Sequence, residues 1–196
     1  MADKISNLFV EVVVAPGFSS GAIDILSQKP SLRLIELPDF FDRESSFVLK
    51  HIQGGMLLQQ PDHLVFDSNN LTVVTQKKPS NLESRDLKFA FAIAKHVKSN
   101  AIVLVKDGQT VGIGAGQMSR VEAVEISLKK ANEKSKGAVC ASDAFFPFKD
   151  SVEYLSAHGI TSIIQPGGSK RDDESIAMCD EMGVSMVMTG IRHFKH

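Results

Sequence analysis

The chain has 196 residues, 43% of them hydrophobic, and its 22 basic and 23 acidic side chains leave a formal net charge of −1. A nucleic-acid binder that works by bulk charge is excluded, because counterion release needs a basic face. No apolar run reaches the roughly 20 residues of a membrane span, and the first residues lack a signal-peptide pattern. The composition predicts a soluble, cytoplasmic protein of the α/β class, with no membrane or nucleic-acid partner.

The residue types that bind metals do not form a recognisable set. Cys140 and Cys179 have no CxxC spacing and fall in apolar contexts, which predicts buried free thiols. Most histidines are scattered singly, and the HxE and PCxxC motifs of zinc deaminases are absent. We therefore expect no zinc.

The first half of the chain opens with a strand, a helix and a strand. The apolar run 8–15 predicts a buried strand that ends at Pro16-Gly17. Ser19 or Ser20 then caps a helix to about residue 29, and residues 32–37 alternate as a second strand. From residue 38 to residue 84 the pattern weakens into short apolar pieces, at 47–49, 56–58, 64–66 and 71–75. The polar tract 76–81 indicates a connector inside the chain.

The second half has a clearer periodicity. Residues 86–97 have helical spacing, and Asp107-Gly108 between two apolar runs is a strong hairpin signal. The alternation of strands and helices that follows predicts a mixed sheet covered by helices. The expected strands are 102–105, 110–113, 138–141, 161–165 and 185–189, and the expected helices are 119–136, 151–157 and 172–181.

Four segments are candidate site elements. The GxGxG run at 112–116 fails the dinucleotide fingerprint, so either its glycines let a ligand approach or they form a tight turn; Ser119-Arg120 after it favours a ligand. The loop Gln165 to Ser169 precedes three acidic residues, which makes it a poor phosphate cradle and favours an uncharged ring or a simple helix cap. Three phenylalanines within 145–148 form a core plug or a stacking wall, and the basic end, 192–196, is a frayed tail or a site.

The same segments resemble one known family. Lys98-Ser99-Asn100-Ala101, Gly112 to Arg120, Ala141 to Phe148, Ile164 to Ser169 and Arg192 to His196 are similar to AICAR transformylase. That enzyme is the formyltransferase part of the bifunctional purine biosynthesis proteins that also carry IMP cyclohydrolase. The similarity is collinear from Ile5 to His196.

The resemblance implies a fold, a reaction and a division of the chain. The fold is a cytidine deaminase-like three-layer α/β/α arrangement with a mixed sheet. The reaction transfers formyl from 10-formyltetrahydrofolate to the amine of 5-aminoimidazole-4-carboxamide ribotide, in de novo IMP biosynthesis. Residues 1–84 would be the end of a first lobe with its connecting strands, and residues 85–196 the C-terminal lobe. The implied active site lies at a homodimer interface.

The resemblance also implies roles for individual residues. The ribotide contacts would be Glu11 at the ribose hydroxyls, Asn100 and Arg120 with Ser119 at the carboxamide, Phe145 at the imidazole and Arg192 at the 5′-phosphate. The folate contacts would be Val121, Asp150, Ser169 and Lys170. A monovalent cation, expected to be potassium, would lie near Ser99, Asp143 and His193, although Ala101 replaces a hydroxyl residue found in some members.

The chain departs from the family pattern by lacking the Lys-His pair of a KHANPCG-like stretch and the cyclohydrolase domain. We therefore expect no catalytic residue within it and negligible turnover alone, as a fragment or one half of a split enzyme that needs the upstream half. The alternative is a non-catalytic ligand-binding or dimerisation module derived from that enzyme.

Overall fold

The computed structural model describes residues 1–39, 47–67 and 69–195. It divides into two compact units, Met1–Pro61 and Asp62–His196. The boundary expected after residue 84 falls inside a helix, Asn81–Ala94. The structure places the boundary earlier because the segment before this helix is attached to the second unit: Val73 pairs with Val187 in the six-stranded sheet of that unit.

The first unit contains the predicted strand–helix–strand motif and a hairpin, but its first strand, Val12–Ala15, is exposed or half-buried and not buried as the apolar run 8–15 predicts. The side chain of Ser19 accepts a hydrogen bond from the nitrogen of Ala22 at 3.3 Å and caps the helix Ser20–Leu26. Among the described residues of this unit only Leu26 is buried. The elements are α1 Ala2–Ser6, β1 Val12–Ala15, α2 Ser20–Leu26, β2 Arg33–Glu36, β3 Val48–Ile52 and β4 Gly55–Gln59, with β1 parallel to β2 and β3 antiparallel to β4.

The second unit is built on a six-stranded mixed sheet with the order β5-β10-β9-β8-β6-β7. The three strands in the middle of the order, β10, β9 and β8, run parallel, and the others are antiparallel to their neighbours. The elements are β5 Thr72–Val73, α3 Asn81–Ala94, β6 Ile102–Lys106, β7 Gln109–Gly114, α4 Arg120–Ala131, β8 Val139–Ser142, α5 Asp150–Ala157, β9 Ser162–Gln165, α6 Asp172–Glu181 and β10 Ser185–Met188.

Helices cover both faces of this sheet. In β6, Ile102 and Leu104 join a core with α4, α5 and α6, whereas Val103 and Val105 join a second core with α3. This alternation follows from the two-residue period of a strand. It confirms the α/β class with a mixed sheet. Within the described ranges, no helix has the length and apolar character needed to cross a membrane.

Two of the three glycines of the GxGxG run serve helix packing. A Cβ on Gly112 would lie 2.1 Å from the backbone oxygen of Ser127, and one on Gly114 would lie 1.9 Å from that of Ala123. These two glycines let β7 approach helix α4 closely, because any side chain would meet the helix backbone. Gly116, the third glycine, has a φ of +65° between β7 and α4, which fits the tight turn that the sequence offers as one interpretation.

Both cysteines are buried and free, as their apolar contexts predict. Burial raises the pKa of the Cys140 thiol far above its ordinary value and that of Cys179 to about 12. Both therefore remain thiols at neutral pH and pack as small apolar side chains.

Substitution of Gly114 tests the close packing of β7 on α4. Gly114→Ala forces the strand away from the helix and is expected to destabilise the chain by about 3 kcal/mol, at the upper end of the cost of overpacking. Gly21→Ala is the matched control, because a Cβ there meets nothing within 4 Å and lies in a helix. Urea denaturation followed by circular dichroism measures both variants. Equal stabilities would contradict the packing role.

A capping box begins helix α3. The nitrogen of Ser80 donates to the Glu83 carboxylate at 2.7 Å, and the nitrogen of Glu83 donates to the Ser80 hydroxyl at 3.2 Å. Partial burial raises the pKa of Glu83, but the hydrogen bonds with Ser80 and the nearby hydroxyl groups of Thr161 and Ser162 outweigh it and lower that pKa to about 2. The carboxylate therefore stabilises the fold above its ordinary pKa, and this contribution is lost as the pH falls toward 2.

The capping box predicts a pH-dependent effect of Glu83→Gln. At pH 7 the variant should lose about 1 kcal/mol of unfolding free energy, a typical value for a cap. At pH 3 the difference from the wild type should shrink, because this carboxyl is then mostly protonated in the unfolded chain and must release its proton on folding. Urea denaturation at the two pH values measures it. An equal difference in unfolding free energy between variant and wild type at the two pH values would show that the charge of the Glu83 carboxylate does not contribute to stability.

Candidate functional site

One edge of the six-stranded sheet collects the loops that carry the predicted site residues. The parallel strands β8, β9 and β10 end there, at Ser142, Gln165 and Met188. Because β6 is antiparallel to β8, its first residue, Ile102, pairs with Ser142, and the end of β7, Gly114, pairs with Ile102. Polar segments at this edge are where α/β sheets hold ligands. The segments are 98–101, 115–120, 143–149, 166–171 and 189–195.

A buried ion pair joins two of these segments to the start of α4. Nη1 of Arg120 contacts Oδ1 of Asp143, and the two side chains are only 6% and 1% exposed. The same Nη1 donates to the carbonyl of Ala101 at 3.2 Å, and Oδ1 accepts from the nitrogen of Ala101 at 3.1 Å. The hydroxyl of Ser99 donates to Oδ2 of Asp143. These bonds offset the cost of removing both charges from water.

Asn100 is oriented by this pair. Its Oδ1 accepts from Nη2 of Arg120 at 2.9 Å, and its Nδ2 donates to the carbonyls of Gln117 at 2.9 Å and Met118 at 3.3 Å. An amide oxygen has two lone pairs, so Oδ1 keeps one for a ligand N–H. Nη1 of Arg120 makes two bonds to protein oxygens and Nη2 makes one, to Asn100, so one N–H of Nη2 is left. Arg120 therefore holds Asn100, and its own predicted contact with the carboxamide stays a prediction.

A cavity of about 350 Å³ opens beside these residues. The guanidinium of Arg192 lies 5.6 Å from the ring centre of Phe145 and 3.7 Å from that of Phe194. The cavity thus combines a cation, aromatic faces and an amide, the groups that bind a flat anionic ligand. Its lining residues are Asn100, Met118, Ser119, Arg120, Ala144, Phe145, Pro147, Arg192 and Phe194.

The three phenylalanines of segment 143–149 have different environments. Phe146 is fully buried, and its nitrogen donates to the side chain of buried Gln165 at 2.9 Å. Phe145 is half-buried at the cavity, and Phe148 lies 5.1 Å below the guanidinium of Arg171. The core-plug and stacking-wall interpretations therefore apply to different residues of one segment.

The C-terminal segment is docked, and the frayed-tail interpretation is wrong. The nitrogen of His193 donates to the carbonyl of Asp143 at 3.1 Å, and the nitrogen of Ser99 donates to the carbonyl of Lys195 at 2.9 Å. The His193 side chain is 1% exposed. These bonds hold Arg192 at the cavity. His196 lies outside the described residues.

A family model described as the AICARFT/IMPCHase bienzyme matches residues 1–130. The bifunctional purine biosynthesis proteins PurH of Oceanobacillus iheyensis and of a Thermoanaerobacter species are each 52% identical to the chain over 195 residues. The chain belongs to the AICARFT/IMPCHase family. It spans 38% of the length of these two relatives, and they cover all of it. The family named from the sequence motifs is thereby confirmed, as is the link to purine biosynthesis enzymes.

Among solved structures, the chain is similar to RibD of Acinetobacter baumannii. The TM-score is 0.38 at 14% identity, over 55% of this chain and 34% of RibD. A score this low supports no argument about the fold. The cytidine deaminase-like arrangement of the family therefore stays a prediction.

The residues predicted to hold folate in this family are not among the cavity lining. Val121 lies in the first turn of α4, and Asp150 begins α5, where its Oδ1 accepts from the nitrogen of Ser151 at 2.6 Å. Ser169 and Lys170 precede α6. Their positions share the sheet edge with the cavity, and their folate contacts remain a prediction.

The Pro-Gly-Gly-Ser loop is closed by an acidic side chain. Oδ2 of Asp172 accepts from the nitrogens of Gly168 at 2.7 Å and Ser169 at 3.1 Å. A carboxylate therefore already occupies the N–H groups that a phosphate would use. This agrees with the inference from the sequence that the loop is a poor phosphate cradle.

The side chains predicted to lie near a monovalent cation are committed to protein partners. Both carboxylate oxygens of Asp143 are bonded, to Arg120, Ala101 and Ser99. The ring nitrogens of His193 face Asp62 at 2.6 Å and the carbonyl of Val65 at 2.9 Å. These side chains do not fit a potassium site as arranged, and no step of the chemistry is assigned to the ion. No cluster of three His, Cys, Asp or Glu residues suited to a metal occurs in the described ranges.

Three residues have positions or contacts that the sequence does not predict. Glu11, predicted at the ribose, precedes β1 instead of ending the strand, and it belongs to the first unit. Its contact with the ribotide stays a prediction. No sequence pattern points to Asp62 or Phe194: Asp62 lies in the weakly patterned region, and its role comes from contacts with Lys95 and with His193, which is 131 residues away. Phe194 was noticed only as part of a basic tail.

Asp143→Asn tests the buried pair. It leaves the Arg120 guanidinium buried without its counter-charge, and we expect a loss of about 3 kcal/mol of unfolding free energy. Glu133→Gln is the control, because it breaks the exposed ion pair with Lys136 and should cause no measurable loss. Urea denaturation compares them. Equal effects of the two substitutions would contradict the structural importance of the buried pair.

Proposed function

We propose that the chain is the C-terminal lobe of a folate-dependent formyltransferase, and that its cavity holds 5-aminoimidazole-4-carboxamide ribotide. Formyl would pass from 10-formyltetrahydrofolate to the exocyclic amine of the ribotide. The main observation in support is that three predicted ribotide contacts from distant sequence motifs line one cavity: Asn100, Phe145 and Arg192. Membership of a family described as the AICARFT/IMPCHase bienzyme supports the proposal.

Arg192 suits the 5′-phosphate. Within the described part of the chain, no carboxylate lies within 4 Å of its guanidinium to form an ion pair, so its charge is available to a ligand. The rings of Phe145 and Phe194 restrain the guanidinium without neutralising it. A phosphate is the ligand group that such a planar donor binds best.

Phe145 and Asn100 suit the base. The ring of Phe145 offers a flat apolar face for an imidazole. The remaining lone pair on Oδ1 of Asn100 accepts an N–H of the carboxamide, and Arg120 keeps Oδ1 in place at 2.9 Å. A cavity of about 350 Å³ lies at the small end of the range for ligand sites, which agrees with one nucleotide and no folate.

The chemistry that these residues supply is binding and orientation. The exocyclic amine is a weak nucleophile because its lone pair is conjugated with the ring, so holding it near the formyl carbon is a large part of catalysis. The amine must also lose a proton. His193 is not suited to accept it, since both of its ring nitrogens already face protein oxygens. The Lys-His pair of the family would have to come from the upstream half.

The proposal includes partners for the first unit. Its strands β3 and β4 are exposed along their whole length and carry Leu49, Leu57 and Leu58. A two-stranded hairpin with apolar side chains is marginally stable alone, and exposed apolar patches mark interfaces. We propose that the upstream half and a second subunit cover it in a cytoplasmic homodimeric enzyme.

Calorimetric titration with the ribotide and with its dephosphorylated riboside tests the site. We expect the chain to bind the ribotide, and Arg192→Ala to weaken that binding about tenfold or more while leaving the riboside nearly unaffected. Arg33→Ala, an exposed arginine of the first unit, is the control and should change neither affinity. Absence of ribotide binding by the wild type would contradict the proposal.

Enzyme assays separate the proposed reaction from its alternatives. The chain alone should release no tetrahydrofolate from 10-formyltetrahydrofolate with the ribotide, and activity should appear when the upstream half is added. Formation of IMP from the formylated ribotide by the chain alone would assign the cyclohydrolase reaction instead. Binding without activity in the presence of the upstream half would favour the non-catalytic module.

A further inference from the structure

A charged cluster that the proposed ligand contacts do not use lies behind the cavity. Nδ1 of His193 is 2.6 Å from Oδ2 of Asp62, and Nζ of Lys95 is 3.6 Å from Oδ1 of the same carboxylate. Lys95 and His193 are only 6% and 1% exposed, whereas Asp62 is 48% exposed. We refer to Asp62, Lys95 and His193 as the clamp.

The clamp fixes the direction of the C-terminal segment. Along this segment Arg192 and Phe194 line the cavity, while His193 between them points inward against the ring of Phe91, with ring centres 5.1 Å apart. Arg192 and Phe194 thus face the cavity, and the buried side chain of His193 faces the interior. Holding the His193 side chain therefore sets the side on which Arg192 lies.

The partners of His193 are fixed in their turn. Its Nε2 lies 2.9 Å from the carbonyl of Val65, and Nζ of Lys95 lies 3.3 Å from the carbonyl of Leu64. Lys95 follows the last residue of α3, so the segment carrying Asp62 is attached to a helix packed on the sheet. The aromatic contacts of Arg192 are too weak to replace this anchoring, since an exposed cation–π contact contributes only about 0.5–1 kcal/mol.

We propose that Asp62 is a positioning residue for the anion subsite of the cavity: through His193 it holds the Arg192 guanidinium where a phosphate group binds. The inference rests on the proposed function for the identity of the ligand. The clamp itself is defined by contacts within the chain, so it can be tested with and without ligand.

The first test needs no ligand. Hydrogen exchange of the peptide spanning residues 189–195 should become at least about tenfold faster in Asp62→Ala, because the segment loses its inward anchor. The peptides of the central strands β8 and β9 should be unchanged, which shows that the sheet remains folded. Glu181→Ala, an exposed acidic residue at the end of α6, is the matched control and should leave residues 189–195 protected. Unchanged exchange of residues 189–195 in Asp62→Ala would overturn the proposal.

The second test is a double-mutant cycle with the ribotide as the probe. Asp62→Ala should weaken ribotide binding about tenfold in the wild type and have no effect in an Arg192→Ala background, because it acts through Arg192. Asp62→Asn, which keeps a hydrogen-bond acceptor, should restore part of the affinity. The riboside should be bound equally by the single variants.

The outcomes separate the two proposals. Faster exchange in Asp62→Ala with no ribotide binding by the wild type would overturn the proposed function and leave the clamp standing as an anchor of the segment. Additive effects of Asp62→Ala and Arg192→Ala on the ribotide binding free energy would overturn the positioning role, because Asp62 would then act independently of Arg192. Equal losses of affinity for ribotide and riboside would overturn it as well, because a general loss of structure gives equal losses.

Discussion

The buried pair of Arg120 and Asp143 is the interaction on which the candidate site depends. It joins the first residue of α4 to the segment after β8, and both partners also bind the backbone of Ala101. Burying two charges is costly unless hydrogen bonds are kept, and the bonds of this pair come from three different segments, with Nε of Arg120 the one buried donor of the pair that has no partner among the described residues. The side chain of Asn100 is therefore held in place by the same guanidinium that pairs with Asp143.

Much of the fold could be predicted from the sequence because it depends on local periodicity. Asp107-Gly108 between two apolar runs predicts the hairpin that the structure has, and helix α6 has the predicted bounds, 172–181. The predicted helix 119–136 is α4 followed by a short 3₁₀ turn at Asn132–Ser135, which apolar spacing alone does not distinguish. The short helix α1 was missed because its five residues provide little more than one helical turn to read.

The rest could not be predicted because it depends on which segments meet. Gly112 and Gly114 resemble a ligand loop in sequence, but their role appears only where Ser127 and Ala123 of α4 lie against them. Asp62 falls in a stretch with no pattern, and its partner is 131 residues away. Phe145 and Phe146 are the same residue type and adjacent in the sequence, yet after the end of strand β8 one lines the cavity and the other lies in the core.

Charge compensation bears on the anion site that we propose in a chain of nearly neutral net charge. Asp143 compensates Arg120, and Asp62 compensates Lys95, so these charges contribute little field at the cavity. Arg192 differs from them, since its neighbours are aromatic rings, which hold a cation without cancelling it. One uncompensated guanidinium in a partly enclosed cavity attracts an anion more strongly than bulk charge does, because the surrounding low-dielectric wall weakens screening. The specificity of the site therefore follows from which cations the fold leaves unpaired.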